Sequence, residues 1–312
     1  MLTWLLALNL LSTPAPLAPP SAAPENRPLG AHGQAKATPT THELGLTVAS
    51  YNAWLLPLAS TDLRARTEAM GPALNAIDAD VVCLQEVWDE QAANAVRLSL
   101  IERLPYGIIA GGGLTTLSRW PILATRFVAY AQHPAMSMLE RFAKKGFLVT
   151  VLATPLGPVQ VVNTHMIWEG RRAPQQPRAE RAHWAQVKEL TDAVRHTAEH
   201  PTIVCGDFNH RAVDGGMPTD EFVAWLDVGF SDAAGTAAGP DGRWTPRART
   251  RYGYPRGPNI APRGGDPDYI LMRSGARVNV AALTFRQSLN TPETALSDHD
   301  LLIAELRLSR PR

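Results

Sequence analysis

Hydrophobic positions along the chain recur with two different periods, and the blocks alternate. LTVASYNAWL (46–55) is a run of apolar and β-branched residues that reads as a strand. Over 61–78, Leu63, Met70, Leu74 and Ile77 return near the 3.6-residue period, which predicts a helix with Ser60 or Thr61 capping its first turn. DVVCLQEV (80–87) is continuously apolar, as expected of a strand covered on both faces. A second helix is expected after Asp89, with Ala93, Val96, Leu100 and Leu104 on one side and Pro105 at its end.

From there strand signals dominate. Extended runs at 106–110, 114–118 and 122–130 are separated by Gly111-Gly112-Gly113 and by Trp120-Pro121. Runs at 147–153 and 159–164 flank Pro155-Leu156-Gly157-Pro158, a hairpin signal. A helix over 178–198 is expected to bury Trp184, Val187, Leu190 and Val194; TIVCGDFN (202–209) begins as another covered strand, and a short helix over 221–226 stops near Gly229. The last strands are expected at 269–272, 278–285 and 301–308. Meanders mixed with helical crossovers exclude a helical bundle and disfavour a purely alternating parallel sheet. The pattern predicts an α+β fold, a two-sheet β-sandwich flanked by helices.

The N-terminal block differs. MLTWLLALNLLS is apolar but too short for a span of ~20 residues, and Ser21-Ala22-Ala23 supplies a cleavage-like site. Residues 1–23 therefore read as a signal peptide that sends the protein to the periplasm or outside the cell, with an uncleaved anchor as the alternative. Proline, alanine and threonine continue without periodicity, so 24–43 reads as a flexible linker and 44–312 as the catalytic domain.

Composition adds limits. With 45% hydrophobic and 19% charged residues among 312, the chain can bury a core, and a formal net charge of +1 gives no general attraction to polyanions. Cys83 and Cys205, the two cysteines, each sit in an apolar run and read as buried, inert thiols; a bridge between them is the alternative for an exported chain.

The candidate chemistry lies where covered strands end. Asn52, Glu86, His165, Asp207 and Asn209 follow such strands, whereas Asp268 and the pair Asp298-His299 precede them. Strand ends on one rim of a sandwich can bring these groups into a single cleft. Hard oxygen donors of this kind suit Mg²⁺, with Mn²⁺ or Ca²⁺ as substitutes, and one or two ions remain open. A compact zinc site is not suggested by the spacing.

The motifs YN (51–52), LQE (84–86), NTH (163–165), GDFN (206–209), DYI (268–270) and SDH (297–299) resemble, in order, those of the endonuclease–exonuclease–phosphatase superfamily over residues 46–308. The resemblance implies a four-layer α/β/β/α fold and a phosphodiester hydrolase. It implies that Glu86, aided by Asn52 and Asp298, holds the metal, and that His299 is the base, paired with Asp268. Asp207 and Asn209 would position the nucleophile and supply a hydrogen bond to the phosphoryl oxygens, and His165 would stabilise the charged phosphorus centre or assist the leaving oxygen.

YNAWLLPL (51–58), LQEVWDE (84–90), LSRWPI (117–122) and KKGFLVTVL (144–152) are most similar to the bacterial neutral sphingomyelinases. That likeness implies a phospholipid substrate at a membrane surface, with Lys145 near the phosphate and no obligate protein partner. Trp54 and Trp168 are candidates for a choline or acyl pocket, because aromatic faces attract quaternary ammonium groups. Met136, Met138, Leu139 and Phe142 form an apolar loop able to dip into an interface. Six arginines between 243 and 263 favour an alternative, a secreted metal-dependent endonuclease acting on nucleic acid.

Overall fold

The computed structural model describes residues 42–57, 60, 62–134, 136–168, 176–195, 197, 199–210, 213–214, 217–237, 267–288 and 296–311. The expected leader, nearly all of the linker and the arginine-rich stretch lie outside these residues.

In chain order the first half comprises β1 (Glu43–Leu55), α1 (Leu63–Asn75), β2 (Val81–Val87), α2 (Glu90–Ser99), β3 (Tyr106–Ile109), β4 (Thr115–Ser118), β5 (Ile122–Ala129), α3 (Met138–Ala143), β6 (Gly146–Thr154) and β7 (Gly157–His165). Then come α4 (Gln176–Arg195), β8 (Thr202–Asp207), β9 (Val213–Asp214), β10 (Met217–Pro218), α5 (Asp220–Asp227), β11 (Ser231–Asp232), α6 (Ala233–Ala237), β12 (Asp268–Arg273), β13 (Asn279–Ser288) and β14 (Leu301–Ser309). One six-stranded sheet has the order β13-β14-β1-β2-β4-β3, the other β11-β12-β8-β7-β6-β5. Each sheet has one parallel pair at its centre, β1 with β2 and β7 with β8, and antiparallel neighbours outside it.

Period-two alternation along these strands explains the layers. Val48, Val81, Cys83, Val161, Ile203, Cys205 and Ile270 face inward and fill the space between the sheets. Their sequence neighbours face outward. Ala49, Tyr51, Val82 and Leu84 meet Met70, Leu74, Ala93 and Val96 of α1 and α2. Val162, Val204 and Leu271 meet Val187, Leu190 and Val194 of α4 and Phe222 and Trp225 of α5. Central strands covered on both faces must be apolar throughout, which is why DVVCLQEV shows no alternation.

Three local expectations are corrected. Helix α1 starts at Leu63, behind Asp62, whose φ of 50° places it in the left-handed region and whose side chain makes no capping bond. Helix α2 ends at Ser99, and Leu104 is buried from the turn beyond it. Trp184 is exposed rather than buried. On that part of α4, His183 bonds the Ile167 carbonyl and Gln186 accepts from the Ile167 N–H, so these two take the inward positions.

Candidate active site

Inward-facing positions change character along each strand. Below lie Val48, Val81, Val161, Ile203 and Ile270; two to four residues further along, the same faces carry Ser50, Asn52, Gln85, Asn163, His165, Asp207 and Asp268. The site is thus the polar end of the intersheet core. His165, the last residue of β7, pairs in register with Asp207, the last of β8, and Asp207 pairs with Asp268, the first of β12.

Glu86 does not follow from alternation, because its neighbour Gln85 already faces inward. A bulge redirects it. Asn52 pairs with Gln85 and Leu55 with Val87, so Ala53 and Trp54 oppose Glu86 alone. Trp54 and Glu86 both adopt positive φ, 48° and 56°, a costly conformation for such side chains that persists only where the surroundings enforce it. Part of that enforcement is the Trp54 N–H donating to Asn52 Oδ1 at 3.1 Å.

Asp207 is the hub. Its Oδ2 accepts from Asn52 Nδ2 at 2.8 Å, and lies 3.6 Å from His165 Nε2 and 3.7 Å from His299 Nε2. Its Oδ1 accepts from the Asn209 N–H at 2.9 Å, a tight turn that holds Asn209 at φ 54°. Asn52 Nδ2 also donates to Glu86 Oε1 at 3.2 Å. Asn52 thus turns its amide nitrogen, not its oxygen, toward the two carboxylates. The Asn209 amide donates to the Met166 carbonyl at 3.0 Å, beside His165. His299 Nδ1–H donates to Asp268 Oδ2 at 2.7 Å, and its Nε2 is 4.0 Å from Asp298 Oδ1.

Charge follows from this crowding. Burial opposes protonation of His299, but the carboxylates of Asp268, Asp298 and Asp207 outweigh it and hold its pKa well above the usual imidazole value. Burial lowers His165 well below that value, and the nearby charges of Lys145 and His299 add to it. Both effects favour the neutral imidazole, whose Nε2 lies 3.7 Å from Glu86 Oε1 and 3.6 Å from Asp207 Oδ2. Burial lifts the Glu86 carboxyl to about 7, with Asp298 raising it further and Lys145, His299 and Asn52 resisting.

Positioning residues that motif reading passed over surround the cluster. Gln85 Nε2 donates to Asn163 Oδ1 at 2.8 Å, and Asn163 Nδ2 donates to the carbonyls of Leu84 and Thr115, both at 3.0 Å. This buried clasp joins the strand that ends in Glu86 to the strand that ends in His165. Arg66 is buried on α1; it donates to the carbonyls of Ala53, Trp54 and Leu296 and stacks over the Trp54 ring at 4.8 Å. It therefore braces both the bulge and the approach to His299. Its sequence signal is a charge in the apolar stripe Leu63–Arg66–Met70–Leu74. Ser297 Oγ donates to the Asn52 carbonyl at 2.6 Å and accepts the His299 N–H at 3.2 Å.

The remaining sequence candidates sit around the rim. Lys145 is buried and donates to Glu140 Oε1 and to the Met166 carbonyl, each at 3.2 Å. Trp54 lies against Arg66, and Trp168 is exposed, its N–H held by Glu140 Oε1 at 2.9 Å. Of the apolar segment, Met136 is buried while Met138, Leu139 and Phe142 are exposed. Both cysteines are buried.

Among the described residues two overlapping sets, Glu86–His165–Asp207 and Asp207–Asp268–His299, bring ligand atoms within 4.8 Å of one another and could hold a metal ion. The first set fits a cation on its own chemistry. Two carboxylates converge in a desolvated pocket, and the buried ring nitrogens of His165 have no hydrogen-bond partner among the described residues.

The endonuclease/exonuclease/phosphatase family model matches residues 49–299, a span that runs from β1 to His299. The chain belongs to this family. Human sphingomyelin phosphodiesterase 2 is 26% identical over 277 residues, covering 84% of this chain and 64% of that protein. The inositol phosphosphingolipids phospholipase C of Schizosaccharomyces pombe is 30% identical over 203 residues, covering 59% of this chain and 46% of that protein. The chain thus spans less than two thirds of the length of these curated relatives. Among solved structures, sphingomyelinase C from Streptomyces griseocarneus shares the family fold, with a TM-score of 0.57 at 23% identity over 84% of this chain and 99% of that one.

Proposed function

We propose that the protein is a divalent-metal-dependent phosphodiesterase of the sphingomyelinase type, releasing a phosphorylated head group from a sphingolipid by attack of water on phosphorus. The observation that carries this reading is the His299–Asp268 contact of 2.7 Å, formed where Glu86, His165 and Asp207 also meet. Asp268 holds Nδ1–H, so that in the deprotonated form, which the surrounding carboxylates shift to the alkaline side, Nε2 takes a proton from the attacking water. Asp207 orients that water from beside Nε2, and Asn209 holds the turn that presents Asp207. Neutral His165 donates from a ring nitrogen to a phosphoryl oxygen as negative charge builds there. The new bond forms between phosphorus and the water oxygen, and the bond from phosphorus to the lipid oxygen breaks, that oxygen taking a proton from solvent to leave as an alcohol.

Glu86 and Asp207, with Asp298 nearby, would hold Mg²⁺, for which Mn²⁺ or Ca²⁺ can substitute; Asn52, expected from the sequence as a further ligand, instead turns its amide N–H to both carboxylates and orients them. When bound, the cation's contribution is to offset charge on the phosphoryl oxygens. Lys145 adds a fixed positive charge behind Glu86, and Trp54 and Trp168 flank the cleft for the head group or acyl chain.

The sphingolipid class is supported by the names of the relatives, which share sphingolipid chemistry but differ in head group. Release of phosphocholine or phosphoinositol from the corresponding sphingolipid vesicles in Mg²⁺ tests it. Turnover of neither lipid, with nicking of plasmid DNA that His299→Ala abolishes, would replace this reading with the endonuclease alternative. The apolar leader supports export, with cleavage near residue 23, a linker to 43 and a catalytic domain from 44; N-terminal sequencing of the mature protein tests that.

A further inference from the structure

We propose that helix α3 and the adjoining Trp168 form a docking surface for a phospholipid bilayer, which seats the mouth of the cleft on the membrane. The proposal rests on the sphingolipid reading for its choice of partner. Successive helical residues are rotated by about 100°, so Met138, Leu139 and Phe142 fall within one arc of about that width, with Glu140 on the opposite side. The exposures agree: Met138 is 67% exposed, Leu139 43% and Phe142 49%, whereas Glu140 is buried. Three large apolar side chains on six helical residues are a dense grouping for a surface in water. Trp168, 46% exposed, adjoins the helix, its backbone N–H donating to the Glu140 carboxylate.

Charge identifies the partner. Arg141 borders the apolar arc on the same helical count, and Lys144 caps the helix C-terminus; both are exposed. An apolar ridge with a basic rim and a tryptophan beside it matches a phospholipid interface, where chains lie below and phosphates at the level of the cations. The buried side of the helix faces the chemistry. Glu140 also binds Lys145, which bonds the carbonyl of Met166, the residue after His165. Those contacts tie α3 to the strand end that carries His165, so a bilayer touching the outer face of the helix lies one helix away from the chemistry.

The test uses the full chain with Met138, Leu139 and Phe142 all changed to Ser, and vesicles of phosphatidylcholine and sphingomyelin. Vesicle affinity by co-sedimentation should fall on the order of tenfold or more, since buried apolar area sets interfacial binding. Hydrolysis of a soluble phosphodiester, bis-p-nitrophenyl phosphate, and the melting temperature should match the parent. A polarity-sensitive dye on Met138→Cys should shift to the blue on vesicles, the native thiols being buried. Equal vesicle binding by parent and triple variant, or an unshifted dye, overturns the proposal. So does loss of self-association in the variant with vesicle binding intact, which would make the patch an interface between copies. Vesicle binding that depends on the patch, in a protein that hydrolyses no sphingolipid, upholds the docking surface and removes only the substrate reading.

Discussion

At the residue scale the site depends on two groups whose protonation is displaced in the same direction for different reasons. Burial raises the Glu86 carboxyl from an ordinary 4.5 to about 7. The folded metal-free protein therefore holds this proton more tightly than the unfolded chain does. The resulting stability is full below 4.5 and is lost as pH rises to about 7. A divalent cation competes with that proton, so the rise in melting temperature on adding Mg²⁺ should grow across the same window. Glu86→Gln should flatten the pH trend below the imidazole range and abolish the Mg²⁺ increment, as thermal melts between pH 5 and 8 will show, and should leave no Mg²⁺-dependent turnover. His299 is raised by its carboxylate neighbours, so its contribution to stability is complete below the unfolded imidazole value and disappears as pH passes the higher folded one. Its titration in the metal-free protein, followed by NMR, should lie above that of free imidazole and fall in Asp268→Asn. As the base, His299→Ala should reduce turnover by ~10²–10⁴-fold with the fold intact. Near-parental turnover would remove it from the mechanism.

At the element scale, strand pairing decides where chemistry is placed. The bulge that turns Glu86 inward and the Gln85–Asn163 clasp both act between strand ends, and neither touches the reacting atoms. Asn163→Ala leaves Gln85 and two carbonyls without their buried partner and should cost about 1–3 kcal/mol of stability. If the clasp positions Glu86 against His165, Mg²⁺ affinity should fall as well, and Gln85→Ala should add little to the double variant; unchanged Mg²⁺ affinity would make the clasp purely structural. On β8, Gly206 has φ 144°, and a Cβ there would stand 1.9 Å from the Thr164 carbonyl oxygen. Gly206→Ala should therefore pull apart the β7–β8 pair that carries His165 and Asp207, with loss of soluble protein or a large drop in melting temperature.

At the scale of the whole molecule, residues 42 to 311 contain every layer of the sandwich, so removal of residues 1–41 should leave melting temperature and turnover unchanged. Continuous and alternating apolar runs were enough to place the longer strands, four helices and the two-sheet class, because each long strand must satisfy its own inside–outside demand locally; the short strands β9, β10 and β11 and helices α3 and α6 were not among them. They were also enough to single out Asn52, His165, Asp207 and Asp268, since polar residues that interrupt a covered strand at its end are visible without coordinates. Only the tertiary structure decided that Glu86 turns inward, because a bulge depends on how two strands register against each other. Only it gave Arg66 and the Gln85–Asn163 clasp their purpose, since a buried polar group makes sense only beside the partner that the fold brings to it, tens of residues or more away in the chain.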